Sequence, residues 1–191
     1  MDVSPRNRRG SCLLNWALLC LLAAAGASRA QELRFESAGA RFGFPANESS
    51  RGFLEADAFV NWNLPWAWDL GRDWRLASRL ELSAGWLGSN KRNGILGTIV
   101  PALALSHGRF PLGLEAGSGP TLLTRTKFGT GNEVESKDFG LPFQFTSHIG
   151  LYGDVTKRLR LGYRFQHMSN AGLGSPNPGL TLHVFYASYL F

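Results

Sequence analysis

The chain has 191 residues, enough for one domain with a sizeable core, and a formal net charge of +6. Much of that charge lies in the first 30 residues: removing four of the 20 basic and one of the 14 acidic residues leaves 16 and 13, so nucleic-acid binding has little support. Both cysteines, Cys12 and Cys20, lie in the same segment, which leaves the remainder without a thiol for disulfides, thiolate metal sites or cysteine catalysis.

Residues 1–30 have the pattern of a secretory signal peptide. A basic start with three arginines precedes an apolar stretch at 13–25 and the small-x-small cleavage site Ser28-Arg29-Ala30. The apolar stretch, about 13 residues, is shorter than the roughly 20 that a membrane-spanning helix needs. We therefore expect residues 1–30 to be removed and residues 31–191 to form a single domain.

Apolar and polar side chains alternate through most of residues 31–191. From Trp74 to Trp86 the even positions are mostly apolar, whereas the odd positions include Arg75, Arg79 and Glu81. Such alternation predicts β-strands with one apolar and one polar face. Eight strands are predicted, at about 32–43, 52–62, 73–86, 94–106, 109–119, 141–153, 158–169 and 180–191.

Each predicted strand has the roughly 9 to 11 residues with which a tilted strand crosses a bilayer. In a soluble sandwich the apolar faces would turn inward, whereas in a membrane barrel they contact lipid and the charged faces fill the lumen. Phe185, Tyr189 and Phe191 share one face of the last strand, which resembles the C-terminal signature recognised by the barrel assembly machinery. Together with the signal peptide, this favours an all-β fold, an eight-stranded antiparallel transmembrane β-barrel of the bacterial outer membrane.

The connections between the predicted strands differ in length. Segments 106–109 and 154–157 are predicted to be short periplasmic turns, whereas external loops are predicted at 44–51, 87–93, 124–140 and 170–179. The connection 63–72, which contains tryptophan and proline, is long for a periplasmic turn and is the exception to this asymmetry.

The apolar face of the strand at 158–169 ends in two polar residues. Its odd positions run from Leu159 through Phe165 and continue with His167 and Ser169. A serine becomes a nucleophile when a base takes its proton, and two residues at i and i+2 on one strand face lie close enough to share a hydrogen bond. The spacing is unspecific, since both residue types are common at strand ends. The pair therefore predicts either a local hydrogen bond or catalysis near the outer leaflet.

The pair belongs to a longer motif near the C-terminus. Its residues are His167-Met-Ser-Asn-Ala-Gly-Leu173, Pro176-Asn177, Gly179 and Phe185-Tyr186, with Gly119-Pro120, Phe143-Gln-Phe145 and Ile149-Gly150 upstream. These residues resemble the C-terminal hallmark of the PagL family of outer-membrane lipid A 3-O-deacylases. The resemblance is weaker before Gly119, where only strand pattern and length agree.

This resemblance implies a serine esterase that hydrolyses the ester-linked 3-hydroxyacyl chain at position 3 of lipid A, surrounded by outer-membrane lipids and without a metal or other cofactor. Carried over by position, Ser169 is the nucleophile and His167 the general base. Family members with a complete triad place a carboxylate twelve residues after the serine, and here that position is Thr181. Three interpretations stay open: a Ser–His pair oriented by a neutral group, a substitute orienter such as His183 or a loop acid, or an inactive member.

Family position also suggests residues that would contact the substrate. The oxyanion donors would be the backbone amides after Ser169, at Asn170 and Gly172, and the side chain of Asn177, although the same residue types favour any tight turn. Phe145 is a candidate contact for an acyl chain or a plain lipid-facing residue. The candidates for binding lipid A phosphates, or for ordinary loop solvation, are Lys91, Arg92, Arg125 and Lys127.

Two rival functions belong to other classes. An outer-membrane phospholipase-type esterase also has a His-x-Ser pair on a barrel surface, but a calcium-dependent twelve-stranded barrel needs a longer chain. A non-enzymatic structural or adhesive barrel would tolerate the replacement of Ser169. No histidine and carboxylate positions have metal-ligand spacing, and a homodimer is left open.

Overall fold

The computed structural model describes residues 32–89, 92–129 and 136–191, so the signal-peptide segment 1–30 and Lys91 lie outside the described residues. Within these ranges no helix has the length and apolar character needed to span a membrane. The strands are β1 (Arg34–Pro45), β2 (Leu54–Gly71), β3 (Trp74–Ser89), β4 (Arg92–His107), β5 (Phe110–Leu123), β6 (Lys127–Phe128), β7 (Lys137–Asp138), β8 (Phe143–Asp154), β9 (Leu159–Ser169) and β10 (Leu180–Leu190), with a 3₁₀ turn, η1, at Glu48–Ser50.

Eight of these strands close into one antiparallel barrel. Their order around the barrel is β1-β10-β9-β8-β5-β4-β3-β2, while β6 and β7 pair with each other in a separate hairpin. Each barrel strand is hydrogen-bonded to two neighbours, so the barrel has no open edge where unpaired backbone groups would meet lipid. The predicted eight-stranded all-β fold is confirmed.

Apolar side chains cover the outside of the barrel and polar side chains fill its lumen. On β5, Leu112 and Leu114 are 64% and 55% exposed, whereas the adjacent Glu115 is buried. On β8, Ile149 is exposed and His148 is buried. A contiguous apolar outer surface of this extent suits contact with lipid.

The lumen is closed by ion pairs rather than open to solvent. Arg41 contacts Asp57 at 2.7 Å and Glu81 at 2.5 Å. Arg164 contacts the other oxygen of Glu81 at 2.7 Å and Glu115 at 2.5 Å. These charges lie on β1, β2, β3, β5 and β9, so the network ties strands together across the lumen. The prediction that the lumen charges pair with one another agrees with these contacts.

The two ends of the barrel differ, as the connection lengths predict. One end has tight turns at 108–109 and 155–158, and the other has η1, the β6–β7 hairpin and the 170–179 turn. The expectation of a long connection at 63–72 was wrong, because β2 continues to Gly71 and meets β3 through a two-residue turn at Arg72 and Asp73. Register shifts after Asn63 and after Asp69 absorb the irregularity around Pro65, which cannot donate a ladder hydrogen bond. Both turn residues have positive φ, 50° and 67°, as tight hairpins of this handedness require.

An apolar plug fills the long-loop end. Phe53 precedes β2, Phe128 lies on the β6–β7 hairpin and Phe139 follows it. Their ring centroids lie 5.5 to 6.1 Å apart with edge-to-face geometry, and all three are almost fully buried. They pack with the lumen-facing side chains of Met168 and Leu180. The hairpin is therefore part of the packed structure next to the ends of β9 and β10.

Candidate active site

His167 and Ser169 lie on the outer face of β9, at its long-loop end. The neighbouring Gln166 and Met168 are buried inside the barrel, whereas Phe165, on the same face as His167, is 44% exposed. His167 itself is exposed and Ser169 is half-buried. The strand thus presents an imidazole and a hydroxyl at the point where the apolar outer surface meets the rim.

Register brings Thr181 of β10 directly opposite His167. Thr181 Oγ1 and His167 Nδ1 are 3.0 Å apart, a hydrogen-bond distance. When Oγ1 accepts the Nδ1 proton, Nε2 keeps a free lone pair and can act as a base. The neutral hydroxyl can therefore select the tautomer that a general base needs.

The hydroxyl of Ser169 and the imidazole of His167 lie on the same strand face, and no hydrogen bond joins them in the described part of the chain. Ser169 lies two residues beyond His167 on the same face, and the described residues give its hydroxyl no hydrogen-bond partner. Such bonds are often long in free enzymes and shorten when substrate is bound. On the other flank, Phe145 of β8 is opposite Ser169 in register, which places an aromatic side chain beside the hydroxyl.

His183, the substitute orienter considered from sequence, has a different partner. Its Nδ1 is 2.8 Å from the hydroxyl of Tyr163, and its cross-strand neighbour is Phe165. The imidazole of His167 is hydrogen-bonded to Thr181 instead.

The 170–179 turn is held by Asn170, which is fully buried. Its Nδ2 donates to the carbonyls of Phe139, Gly174 and Pro176 at 3.1 to 3.2 Å. This one side chain therefore joins the turn to itself and to the segment after the β6–β7 hairpin.

The predicted oxyanion donors are partly engaged. The backbone N–H of Asn170 donates to Asn177 Oδ1 at 3.0 Å, and that of Gly172 donates to Asn170 Oδ1 at 2.9 Å. The first bond orients the Asn177 amide and leaves its Nδ2 without an acceptor in the described part of the chain. The N–H of Ala171, whose φ is 53°, likewise has no acceptor there. Sequence reasoning missed Ala171 because an alanine in a turn carries no chemical signal.

The predicted loop cations lie elsewhere on the rim. Arg92 begins β4 and Arg125 follows β5, so they are separated from β9 by one or two intervening barrel strands. Arg125 Nε donates to the carbonyl of Asn93 at 2.8 Å, and Lys127 pairs with Asp138 at 3.4 Å. None of these described contacts involves the imidazole or hydroxyl of the site.

A cation that sequence reasoning did not select lies closer. Lys137 is buried, and its Nζ donates to the carbonyl of Gly179 at 2.6 Å. Burial lowers the pKa of this ammonium group. Gly179 in turn adjoins His167, because a Cβ built on it would lie 2.8 Å from Cε1 of the imidazole. No local pattern signals this contact, which joins residues far apart in sequence.

Comparison with known proteins agrees with this architecture. A profile of the family described as lipid A 3-O-deacylase (PagL) matches residues 56–190. The lipid A deacylase PagL of Bordetella bronchiseptica is 35% identical over 140 residues, covering 69% of this chain and 74% of that protein.

Solved structures support the fold. The crystal structure of the outer membrane enzyme PagL superposes with a TM-score of 0.67 at 18% identity, covering 80% of this chain and 97% of that chain. The N-terminal β-barrel domain of Pseudomonas aeruginosa OprF gives a TM-score of 0.52 at 11% identity, covering 84% and 100%. At these identities the structural likeness concerns the fold alone, whereas the profile match and the Bordetella relative show that the chain belongs to the lipid A 3-O-deacylase (PagL) family.

Proposed function

We propose that this barrel is a lipid A 3-O-deacylase of the bacterial outer membrane, in which Ser169 and His167 hydrolyse the ester of the 3-hydroxyacyl chain at position 3. Family membership supports the substrate and the location. The observation that carries the catalytic assignment is the hydrogen bond between Thr181 and His167 Nδ1. Because Nδ1 is engaged, Nε2 is free to act as a base, and the adjacent Ser169 is the nucleophile whose proton it would take.

The reaction follows the two-step course of serine esterases. Ser169 Oγ attacks the ester carbonyl while His167 Nε2 takes its proton, which gives a tetrahedral oxyanion and an imidazolium. The intermediate collapses as the imidazolium returns that proton to the departing sugar oxygen, leaving the acyl chain on Ser169. Water, deprotonated by the same imidazole, then attacks the acyl-enzyme, and the serine leaves with the proton while the 3-hydroxy fatty acid is released.

Two donors of the 170–179 turn are suited to stabilise the oxyanion. Asn177 Nδ2 and the N–H of Ala171 are uncommitted within the described residues, while the amides of Asn170 and Gly172 bond side chains of the turn itself. Preorganised donors of this kind need no reorientation during the reaction, which makes their contribution large. In this role Asn170 and Gly172 shape the turn, and Asn177 makes the direct contact.

Thr181 orients the base without balancing its charge. A hydroxyl fixes the tautomer and the ring plane, but it cannot stabilise imidazolium as the carboxylate of a complete triad does. A Ser–His pair with a neutral orienter is therefore the form of catalysis that the geometry supports best.

Because Ser169 lies on the outer face of β9, a membrane lipid can reach it directly from the bilayer. Position 3 of lipid A lies at the membrane surface and its acyl chains run inwards, which corresponds to a site at the rim with an apolar strand face below it. Phe145, opposite Ser169, packs edge-to-face with Phe143 at 5.1 Å and is placed to contact the acyl chain.

The test is the mass spectrum of lipid A from cells that express the chain. Wild-type protein should lower the mass of lipid A by one 3-hydroxyacyl group, whereas Ser169→Ala should leave the mass unchanged in a barrel that still shifts on heating in SDS gels. Loss of the nucleophile should reduce turnover by at least about a thousandfold, as in other serine hydrolases. Undiminished deacylation by Ser169→Ala would exclude the serine mechanism.

A further inference from the structure

Lys137 is an unusual residue to find buried. It is only 5% exposed, although it lies on a hairpin at the solvent end of the barrel. Lysine is almost never buried without a partner, since removing an ammonium group from water is unfavourable. The partner here is a backbone carbonyl, that of Gly179, 2.6 Å from Nζ. Packing alone therefore does not explain why a lysine lies at this position.

The carbonyl that Lys137 contacts lies at the end of the β9–β10 ladder. The last registered pair is Leu180 with Met168, so Gly179 comes one position beyond it, across from Ser169. A rim carbonyl without a ladder partner needs another donor, and the ammonium group supplies it. Lys137 thus fixes the backbone at the point where β10 begins beside the nucleophile.

Gly179 forms one wall of the space occupied by the imidazole. Its φ is +65°, and an added Cβ would lie 2.8 Å from Cε1 and 3.3 Å from Nε2 of His167. Any larger residue would push the ring, and any displacement of this backbone would change where the ring can lie. One of these two ring atoms, Nε2, is the atom that must accept the proton of Ser169.

The hairpin is also joined to the other end of the turn. Just after β7, the carbonyl of Phe139 accepts a hydrogen bond from Asn170 Nδ2 at 3.2 Å. The next residue, Gly140, packs so closely that an added Cβ would lie 2.5 Å from the Pro176 carbonyl oxygen. The β6–β7 hairpin and its C-terminal flank therefore hold residues 170 and 179, the two ends of the turn that follows Ser169.

We propose that the β6–β7 hairpin is part of the active site and that Lys137 is a positioning residue. By holding the Gly179 carbonyl, its ammonium group keeps Gly179 against the imidazole of His167 and so fixes where Nε2 lies relative to Ser169. Reactions of this type are sensitive to small displacements, since about 1 Å of misplacement can lower a rate by roughly a hundredfold. This inference rests on the proposed Ser–His mechanism and adds a residue that does not itself contact the substrate.

The test compares Lys137→Met, which keeps the length of the side chain and removes its donors, with Lys157→Met in an exposed turn at the opposite end. Both variants are assayed with lipid A in mixed micelles and with p-nitrophenyl decanoate, a simple ester without phosphate groups. Lys137→Met should lower kcat about tenfold on both substrates with KM changed less than about twofold, because the base is misplaced for any ester. Lys157→Met should keep wild-type kinetics, and Lys137→Arg, which restores a cationic donor, should recover most of the lost kcat.

Other outcomes overturn the proposal. A loss confined to lipid A and expressed in KM would show that Lys137 binds an anionic group of the substrate, and wild-type kcat in Lys137→Met would show that it positions nothing. Gly179→Ala provides a second variant that leaves the hairpin intact: it should lower kcat on both esters, and an unchanged kcat would also overturn the proposal. Ser169→Ala, measured in parallel, separates the two hypotheses, since activity in that variant would refute the serine mechanism itself.

Discussion

The lumen and the outer face at the rim both carry polar side chains on neighbouring strands, yet the two sets are bonded differently. In the lumen, Glu81 accepts one hydrogen bond from Arg41 and two from Arg164, at 2.5 to 2.9 Å. On the outer face, His167 has one hydrogen-bond partner, Thr181, and the hydroxyl of Ser169 has none within the described residues. Charged groups that are paired with one another, as around Glu81, join strands across the lumen, whereas a group left with a free lone pair at the rim is open to a substrate.

This difference separates residues that hold the fold from the residues proposed to act on a substrate. Buried charges are tolerated when each has partners, and removing one partner leaves the others uncompensated in a poorly solvated space. Polar groups at the rim meet water and lipid headgroups, so they can stay unpaired at little expense in stability. The two sets should therefore respond to substitution in opposite ways.

The largest effect on stability is expected from Glu81→Leu. The substitution leaves both Arg41 and Arg164 without their shared carboxylate, and breaking such a buried pair costs about 3–5 kcal/mol. Urea unfolding in phospholipid vesicles should show this decrease in the free energy of unfolding. The folded fraction should keep its kcat, because the network lies inside the barrel and contacts neither Ser169 nor His167.

The matched comparison is Ser169→Ala in the same vesicles. It should leave the urea midpoint unchanged, since one half-buried hydroxyl that has no hydrogen-bond partner among the described residues contributes little to folding. If Ser169→Ala destabilised the barrel as strongly as Glu81→Leu, the division between a stabilising lumen and a reactive rim would be wrong.

Alternation in the sequence was sufficient to predict which face each site residue occupies. Period-2 patterning assigns His167, Ser169 and Thr181 to the outer face regardless of where the strands begin or end, because parity does not depend on the boundaries. The pairing of His167 with Thr181 then follows from the antiparallel register of β9 and β10. The family motif supplied the roles, which alternation alone does not carry.

Two features could not be predicted because they break this pattern. Pro65 and the two register shifts interrupt the alternation in β2, so the sequence predicts a connection where the second half of that strand lies. The contact between Lys137 and Gly179 joins a loop hairpin to a turn, and neither segment has a periodicity that relates it to the other. Long-range loop contacts of this kind become visible only when the barrel places the loops on one rim.

A smaller effect is expected at the orienting residue. Thr181→Val keeps the side-chain shape and removes the hydrogen bond to His167, which should slow deacylation several-fold, the equivalent of about 1 kcal/mol. Thr181→Glu should increase turnover, because a carboxylate stabilises imidazolium, and a charge near the interface is penalised by only about 0–1 kcal/mol. The backbone N–H of Thr181 donates to Ser50 Oγ at 2.9 Å, and this bond remains in both variants.

The two Thr181 variants test whether this residue orients the base. Their effect is measured as the initial rate of fatty-acid release from lipid A, with heat-modifiability on SDS gels as the folding control. Wild-type rates in Thr181→Val together with no gain in Thr181→Glu would mean that the hydrogen bond seen here does not orient the base.

The smallest effect is expected from the loop cations, which test whether the reactive rim extends beyond β9 and β10. Neutralising Arg92, Arg125 and Lys127 one at a time should raise KM for lipid A about two- to threefold and leave kcat unchanged, because exposed ionic contacts each contribute at most about 1 kcal/mol. Arg92 should have the largest effect of the three, since Arg125 already bonds the Asn93 carbonyl and Lys127 already pairs with Asp138. The shift in KM should shrink at high salt and be absent with p-nitrophenyl decanoate, because both conditions remove the attraction to phosphate. Unchanged KM in all three variants would confine substrate recognition to the strands that carry the catalytic pair.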